Sequence, residues 1–461
     1  GREEGQDIVG LLIRKILCRS YLLEKASVKE VNGLRLEVGN IMIKDVQFGA
    51  KTEVNNGIFF VNKEELAQIT GDDDHISSVE VFLAKPGEQT RIIPVKDVIE
   101  PRIKVSGNGG VFPGFISNVD MVGEGRTNVL KGAAVVTTGR IVGFQEGIID
   151  MSGPGAEYTP FSKTMNVVVK VDPIEGLHQH EHERVVRLAG FRAAEYLGQA
   201  GKNIEADSVQ VFETKPLLEQ VNEYPNLPKV AYVYMLITQG LLHDTFVYGV
   251  DAKHILPTII YPTEMMDGAV VSGNCVSACD KNTTYSHQNN PIIHDLYAGH
   301  GKDFNFIGCV ITNENVTLSD KERSSNMTAK LVEFMGADGV IISEEGFGNP
   351  DADLVMNCSK IEKKGIKTVL VTSEYAGRDG ASQSLADSSE YGDAVISVGN
   401  ANEIITLPPM KTVIGYPEVA DIIAGGFDGS LGEDGSITAE LQVIIGATNE
   451  LGFGCLTARE S

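Results

Sequence analysis

The alternation in the last third of the chain constrains the fold most. Phe306-Ile-Gly-Cys-Val-Ile-Thr312 reads as a strand, Asp320–Met335 as a helix with an apolar stripe, and Gly339–Ser343 as a second strand. A helix over Asp351–Lys364 then leads into the strand Lys367–Thr372. Strands that alternate with helices of this length can pair in parallel, because each helix supplies the long crossover that parallel strands need. The pattern predicts an α/β fold with a doubly wound parallel sheet at the C-terminal end. Ligands bind such sheets at the carboxyl ends of the strands, here Ser343-Glu-Glu-Gly-Phe-Gly348 and Thr372-Ser-Glu-Tyr-Ala-Gly377.

Upstream, Asn166–Val171 and Lys229–Ile237 read as strands, His254–Ile260 as another buried strand, and Glu181–Gln199 as a helix. Residues 34–165 are richer in short alternating runs, such as Ser78–Ala84 and Ala133–Thr137, and predict a β-rich region. Composition narrows function by exclusion. A net charge of -24 disfavours nucleic acid, whose phosphates need clustered Lys and Arg, and disfavours an anionic membrane surface. The six cysteines (Cys18, Cys275, Cys279, Cys309, Cys358, Cys455) show no disulfide spacing, which with the lack of a signal peptide or apolar span points to a cytoplasmic protein.

The chemistry-bearing segment is Asp267-Gly-Ala-Val-Val-Ser-Gly-Asn-Cys275-Val-Ser-Ala-Cys-Asp-Lys-Asn282. A thiolate at Cys275 can attack the carbonyl of Asn274 and turn the amide into a thioester, given oxyanion donors and a base. Elimination of the acylated sulfur leaves a dehydroalanine, whose enamine hydrolyses to an N-terminal pyruvoyl group. Gly273 lets the backbone bend without a Cβ. His287 is the nearest downstream imidazole and a candidate proton carrier, and Ser272 and Asp280 could orient the bond. An Asn-Cys dipeptide alone is usually inert, and a buried Cys is usually a small hydrophobe.

The surrounding blocks change that weighting. They include Val98-Ile-Glu-Pro-Arg102, Val129-Leu-Lys-Gly-Ala-Ala-Val-Val-Thr-Thr-Gly139, Gly143-Phe-Gln-Glu-Gly-Ile-Ile-Asp-Met-Ser-Gly-Pro-Gly155, Gln239-Gly-Leu-Leu-His-Asp244 and Tyr261-Pro-Thr-Glu264. Further blocks are Glu344-Glu-Gly-Phe-Gly-Asn-Pro-Asp-Ala-Asp353, Glu374-Tyr-Ala-Gly-Arg-Asp-Gly380 and Gly425-Gly-Phe-Asp-Gly429. From Leu34 onward the chain resembles the α/β proprotein of component B of the glycine, sarcosine and betaine reductases, most closely the glycine branch. The resemblance implies cleavage at Asn274-Cys275, with Cys275 becoming a pyruvoyl cofactor that forms a Schiff base with glycine. A partner selenolate would then attack the activated carbon. The implied partners are a selenoprotein subunit of component B and the selenoprotein A carrier, with component C acting indirectly towards acetyl phosphate, in amino-acid fermentation by an anaerobe. Cleaved chains would form a hetero-oligomer. Glycine's carboxylate calls for a cation, for which Arg378, Lys281 and Arg126 are candidates, and His243 beside Asp244 is a candidate acid/base group. Betaine's quaternary nitrogen cannot form an imine, while sarcosine remains open. Alternatives are a proline reductase proprotein, or an uncleaved α/β scaffold with no enzymatic role.

The resemblance divides the chain into residues 34–165 (β-rich), 166–274 (α/β, completing an α subunit 34–274) and 275–461 (a Rossmann-like β subunit). Residues 1–33 precede it. Lys29-Glu-Val31 can be encoded by a ribosome-binding sequence and Leu34 by a TTG start codon, so this segment reads as translated upstream DNA or as a docking helix.

Other groupings have bland readings. His178-Gln-His-Glu-His182 has metal-like spacing on a strand but precedes a helical pattern, so it reads as a solvated helix start. Glu344, Glu345, Asp351 and Asp353 read as solvated loop carboxylates, and no metal site is expected. Gly425–Gly432 lacks the P-loop lysine and reads as a turn-rich backbone that lines a site or a subunit contact. Cys279 reads as structural or as an aid to processing.

Overall fold

A computed structural model of the chain describes residues 33–240, 242–274 and 276–452. The segment 1–32 and Cys18, Cys275 and Cys455 therefore lie outside the described residues.

The short alternating runs of the N-terminal region form two larger sheets and a small three-stranded one over residues 45–61. Strand β1 (Leu34–Met42) pairs in parallel with Gly125–Lys131 and antiparallel with Ser208–Thr214. Strand β2 (Thr90–Ile99) is buried at every position and pairs with β3 (Ala133–Thr138), which lies parallel to β4 (Met165–Pro173). The helix α1 (Gln179–Gly198) buries Val186, Ala189, Phe191, Ala194 and Leu197 in the core that these strands share. Its spacing was legible because one face of a 3.6-residue repeat is apolar.

The second body of strands begins at β5 (Lys229–Leu236). Two short strands, β6 (Thr245–Val247) and β7 (Val270–Ser272), pair antiparallel, and β8 (Asn305–Asn313), β9 (Gly339–Glu344), β10 (Lys367–Glu374) and β11 (Val395–Asn400) complete a parallel sheet with β5. Numbered among themselves, the five parallel strands lie in the order 2-1-3-4-5. Side chains of β5 alternate between two apolar layers. Tyr232, Tyr234 and Leu236 face a core shared with Ile293 and Leu296 of α3 (Pro291–Gly299), which follows the short helix α2 (Thr284–Gln288). Ala231, Val233 and Met235 face α4 (Leu318–Met335) and α5 (Asn349–Glu362) through Ala329, Val332, Leu354 and Ile361. Both faces are covered, which is why these strands read as continuous apolar runs.

The chain leaves β5 for β8 on one side and returns through α4 to β9 on the other. The carboxyl ends of β5 and β9 therefore flank the point where the strand order reverses, where a crevice forms. Pairing also runs across residue 274, since β5 lies between β8 and β9. It runs across the N-terminal regions too, where Thr412–Gly415 pairs with β2.

One expected element is different. His254–Ile260 is not a buried strand but a turn over Ala252–His254 and a short edge strand Thr258–Ile260, with Thr258 and Ile259 exposed. Pro257 supplies no N–H, which limits the pairing to the residues after it. No helix among the described residues is long and apolar enough to cross a membrane.

Candidate functional site

The reversal point carries the Ser272-Gly-Asn274 segment. Ser272 lies opposite Thr245 in the β6/β7 pair, and Gly273 N donates to Asp244 O at 2.6 Å. A Cβ on Gly273 would lie 2.2 Å from His243 O and 2.7 Å from His243 C, so only glycine fits. Asn274 then adopts a left-handed φ of 76° and is 1% exposed. Asn is the residue that tolerates this region best, yet the conformation still costs about 1–2 kcal/mol for a side chain-bearing residue. Its side-chain Oδ1 and Nδ2 have no hydrogen-bond partner among the described residues, a further penalty of about 1–3 kcal/mol. Strain of this kind accumulates where function requires it.

The carbonyl oxygen of Asn274 accepts a hydrogen bond from Lys281 Nζ at 3.2 Å. Lys281 is fully buried, and its Nζ also donates to Lys96 O at 2.8 Å. The segment is fixed from below: Ser272 N donates to Thr284 Oγ1 (3.1 Å), and Thr284 donates through Oγ1 and N to Asp97 (2.6 and 2.9 Å). Burial pushes the Asp97 carboxyl up to about 6 despite these bonds. Asn274 N in turn donates to Ser272 Oγ at 3.3 Å. The nucleophile assigned to Cys275 lies outside the described residues, whereas the carbonyl it would attack is described.

The other expected residues divide. Asp280 is buried after the same turn, with Oδ1 accepting from Thr448 Oγ1 (2.8 Å), Ser373 Oγ (3.0 Å) and Cys279 Sγ (3.2 Å). Burial pushes its carboxyl up to about 6. The Cys279 thiol is buried and held well above its usual range, a structural role. His287 lies on α2 with Nδ1 2.8 Å from the Tyr234 hydroxyl, and burial pushes its imidazole down to about 3, so the ring is neutral. Its Nε2 has no partner among the described residues. His243 packs its carbonyl on Gly273, while Nδ1 bonds Asp251 at 2.6 Å and Nε2 meets His180 Nδ1 at 3.2 Å. The Asp251 bond raises its pKa.

Of the candidate cations, only Lys281 reaches Asn274 among the contacts described. Arg126 is engaged by Asn128 and Glu37 in the sheet of β1. Arg378 is half exposed, bonds Glu440 at 2.8 Å and stacks over Phe427. His178 caps the start of α1, in keeping with a helix start, and no group of three or more His, Cys, Asp or Glu among the described residues is arranged to hold a metal.

The acidic pairs require a correction. Glu344, Glu345, Asp351 and Asp353 are buried, not solvated. Residues distant in sequence, among them Ile237, Thr245, Lys321 and Thr372, surround these side chains, which therefore point into the body. Glu345 Oε2 accepts from Ile237 N and Thr245 Oγ1, each at 3.0 Å, and so ties β9 to the end of β5 and to β6. Glu344 accepts from Thr372 and Asp353 is paired with Lys321. With Glu314 and Glu450 they form a set of buried acids whose carboxyls burial pushes well up in four cases: Glu314, Glu344, Glu345 and Glu450.

A cleft of about 380 Å³ opens here, lined by Ile237 after β5, Gly346 and Phe347 after β9, Ser277, Tyr375, Gln442, Gly425 and the Phe144-Gln145 loop. Phe347 and Tyr375 stack at 4.5 Å. Gly425 thus lines the site. Sequence reading missed Asp97, Thr284 and Thr245. Lys96-Asp97 inside an otherwise apolar strand was the signal for the first, and nothing local marked the others.

The sequence profile of the glycine/sarcosine/betaine reductase component B subunits matches residues 34–459. The chain is 67% identical over 428 residues to the glycine reductase complex component B subunits alpha and beta of Acetoanaerobium sticklandii, covering 92% of this chain and 100% of that protein. It is 64% identical over 426 residues to the same subunits of Peptoclostridium acidaminophilum, with the same coverage. The sarcosine reductase complex component B subunit alpha of P. acidaminophilum is 58% identical over 426 residues, again covering 92% and 100%. No solved structure matches the chain. An α/β body with a strained Ser-Gly-Asn segment at its reversal point thus belongs to the glycine/sarcosine/betaine reductase component B family.

Proposed function

We propose that the chain is the self-cleaving precursor of the substrate-binding component of a glycine reductase, cut between Asn274 and Cys275. The buried, left-handed Asn274, whose carbonyl is hydrogen-bonded and whose neighbour can only be glycine, carries the reading. This geometry fits a pyruvoyl group made from Cys275: the scissile carbonyl is polarised, and Ser277, two residues beyond Cys275, lines the cleft. The group would supply a ketone that captures the amino group of glycine and draws electrons from its C–N bond, opening the carbon to a partner's selenolate. The chain's own part is to hold the substrate in the cleft at the strand ends, against the stacked rings of Phe347 and Tyr375.

Glycine is favoured over sarcosine because both glycine reductase relatives are more similar to this chain than the sarcosine relative. The partners would be the selenoprotein subunit of component B and the selenoprotein carrier. Cys275→Ala tests the reading: the wild-type chain should yield two fragments on a denaturing gel and the variant one. A variant that still splits at 274 would remove Cys275 as the nucleophile.

A further inference from the structure

We infer that Lys281 is the catalytic electrophile of the cleavage, stabilising the oxyanion that forms on Asn274. The inference rests on the reading that the Asn274–Cys275 bond is cut.

The ammonium is placed by the fold rather than by solvent. Asn449 Nδ2 donates to Asp280 O (3.2 Å) and Lys281 O (3.0 Å), which fixes the backbone from which the side chain projects. At its far end Nζ is held by Lys96 O on β2, while the Lys96 ammonium is occupied by Glu146 at 3.0 Å. Nζ also donates to the Asn274 carbonyl oxygen, at 3.2 Å. The charge of Lys281 acts on both Asp97 and Glu345, offsetting part of the effect of their burial.

When Cys275 Sγ adds to the Asn274 carbonyl carbon, the carbonyl π pair moves onto the oxygen facing Lys281. Collapse breaks the C–N bond, leaves a thioester, and places on the amine of residue 275 the proton that the thiol gave up. The step is an isomerisation that needs no co-reactant. The ammonium's long hydrogen bond to a neutral carbonyl becomes one to a negatively charged alkoxide, with both partners ionised, so the interaction is stronger in the transition state than in the ground state. Loss of one such donor slows a reaction by about 10²–10³-fold.

The test follows cutting of the full chain over time by intact mass and denaturing electrophoresis, with thermal unfolding as a check on folding. Lys281→Met should slow cutting at least about 100-fold, and Lys281→Arg should restore part of the rate. Hydroxylamine, which splits thioesters, should release no fragments from Lys281→Met, because the block precedes the thioester. Should the Met variant not fold, Lys281→Gln, which keeps an uncharged donor, decides by the same criterion. A folded Met or Gln variant cut at the wild-type rate overturns the role of Lys281 while cleavage stands. A wild-type chain that is never cut overturns the underlying reading instead.

Discussion

Gly273 offers the sharpest perturbation of the site. In Gly273→Ala the new methyl carbon would sit 2.2 Å from His243 O and 3.1 Å from Asp244 O, both backbone atoms of the two residues that lead into β6. A carbon–oxygen contact belongs at about 3.3 Å or more, so roughly 1 Å must be found by moving Gly273 away from its neighbour strand. The 2.6 Å bond from Gly273 N to Asp244 O would stretch first. Overpacking of this kind costs about 1–3 kcal/mol. The same displacement reaches Asn274 and carries its carbonyl out of hydrogen-bond range of Lys281, now at 3.2 Å. A misplacement of about 1 Å slows a positioned reaction by about 100-fold. Urea unfolding would read the first effect and time-resolved mass spectrometry of the full chain the second. Gly339→Ala is the control, since its Cβ would meet nothing nearer than Lys367 O at 3.7 Å. Gly273→Ala cut at the wild-type rate, with an unchanged urea midpoint, would refute the claim that close packing at Gly273 sets the scissile geometry.

Further outcomes follow from the same contacts. The cut chain should elute as one species in native gel filtration, because β5 of the first fragment is paired between β8 and β9 of the second; separate elution of the fragments would contradict this. Asp280 has a folded pKa near 6, above its reference 3.8, so the unfolded chain ionises first as pH rises and stability falls between about pH 4 and 6. In a Cys275→Ala background, Asp280→Asn should therefore gain stability relative to its parent across that window, by up to about 3 kcal/mol at pH 7, and urea midpoints at pH 4.5 and 7 would show a constant difference if this is wrong. Glu345→Gln should leave stability nearly unchanged because the amide oxygen can still accept from Ile237 N and Thr245 Oγ1. Glu345→Ala should lose about 2–4 kcal/mol by stranding Ile237 N and Thr245 Oγ1, and equal unfolding midpoints for the two variants would count against that network.

The parallel sheet was legible because β8, α4, β9, α5 and β10 each keep one clean period and lie in sequence. The reversal between β5 and β9 was not, since nothing local tells which side of β5 a later strand joins. The scissile segment could be read from Ser272-Gly-Asn-Cys275, but its supports could not. Lys281 was expected to bind a substrate carboxylate; its contact with Asn274 was not legible, because its neighbour in space is fixed by Asn449 and by β2. Glu344 and Glu345 looked solvated because acidic residues beside glycine usually are. Their burial follows from what covers the strand ends, a property of chain segments far away in sequence. His287 was chosen by proximity along the chain, and the α2 helix turns its Nδ1 towards Tyr234.

The central claim is that position 275 becomes a carbonyl that takes glycine. Intact mass spectrometry under denaturing conditions, on protein from its native host treated with glycine with and without borohydride, measures this directly. The account predicts two fragments that meet at 274/275, the C-terminal one lacking the mass of a cysteine and gaining glycine only on reduction. A single intact chain that takes up no glycine would contradict it.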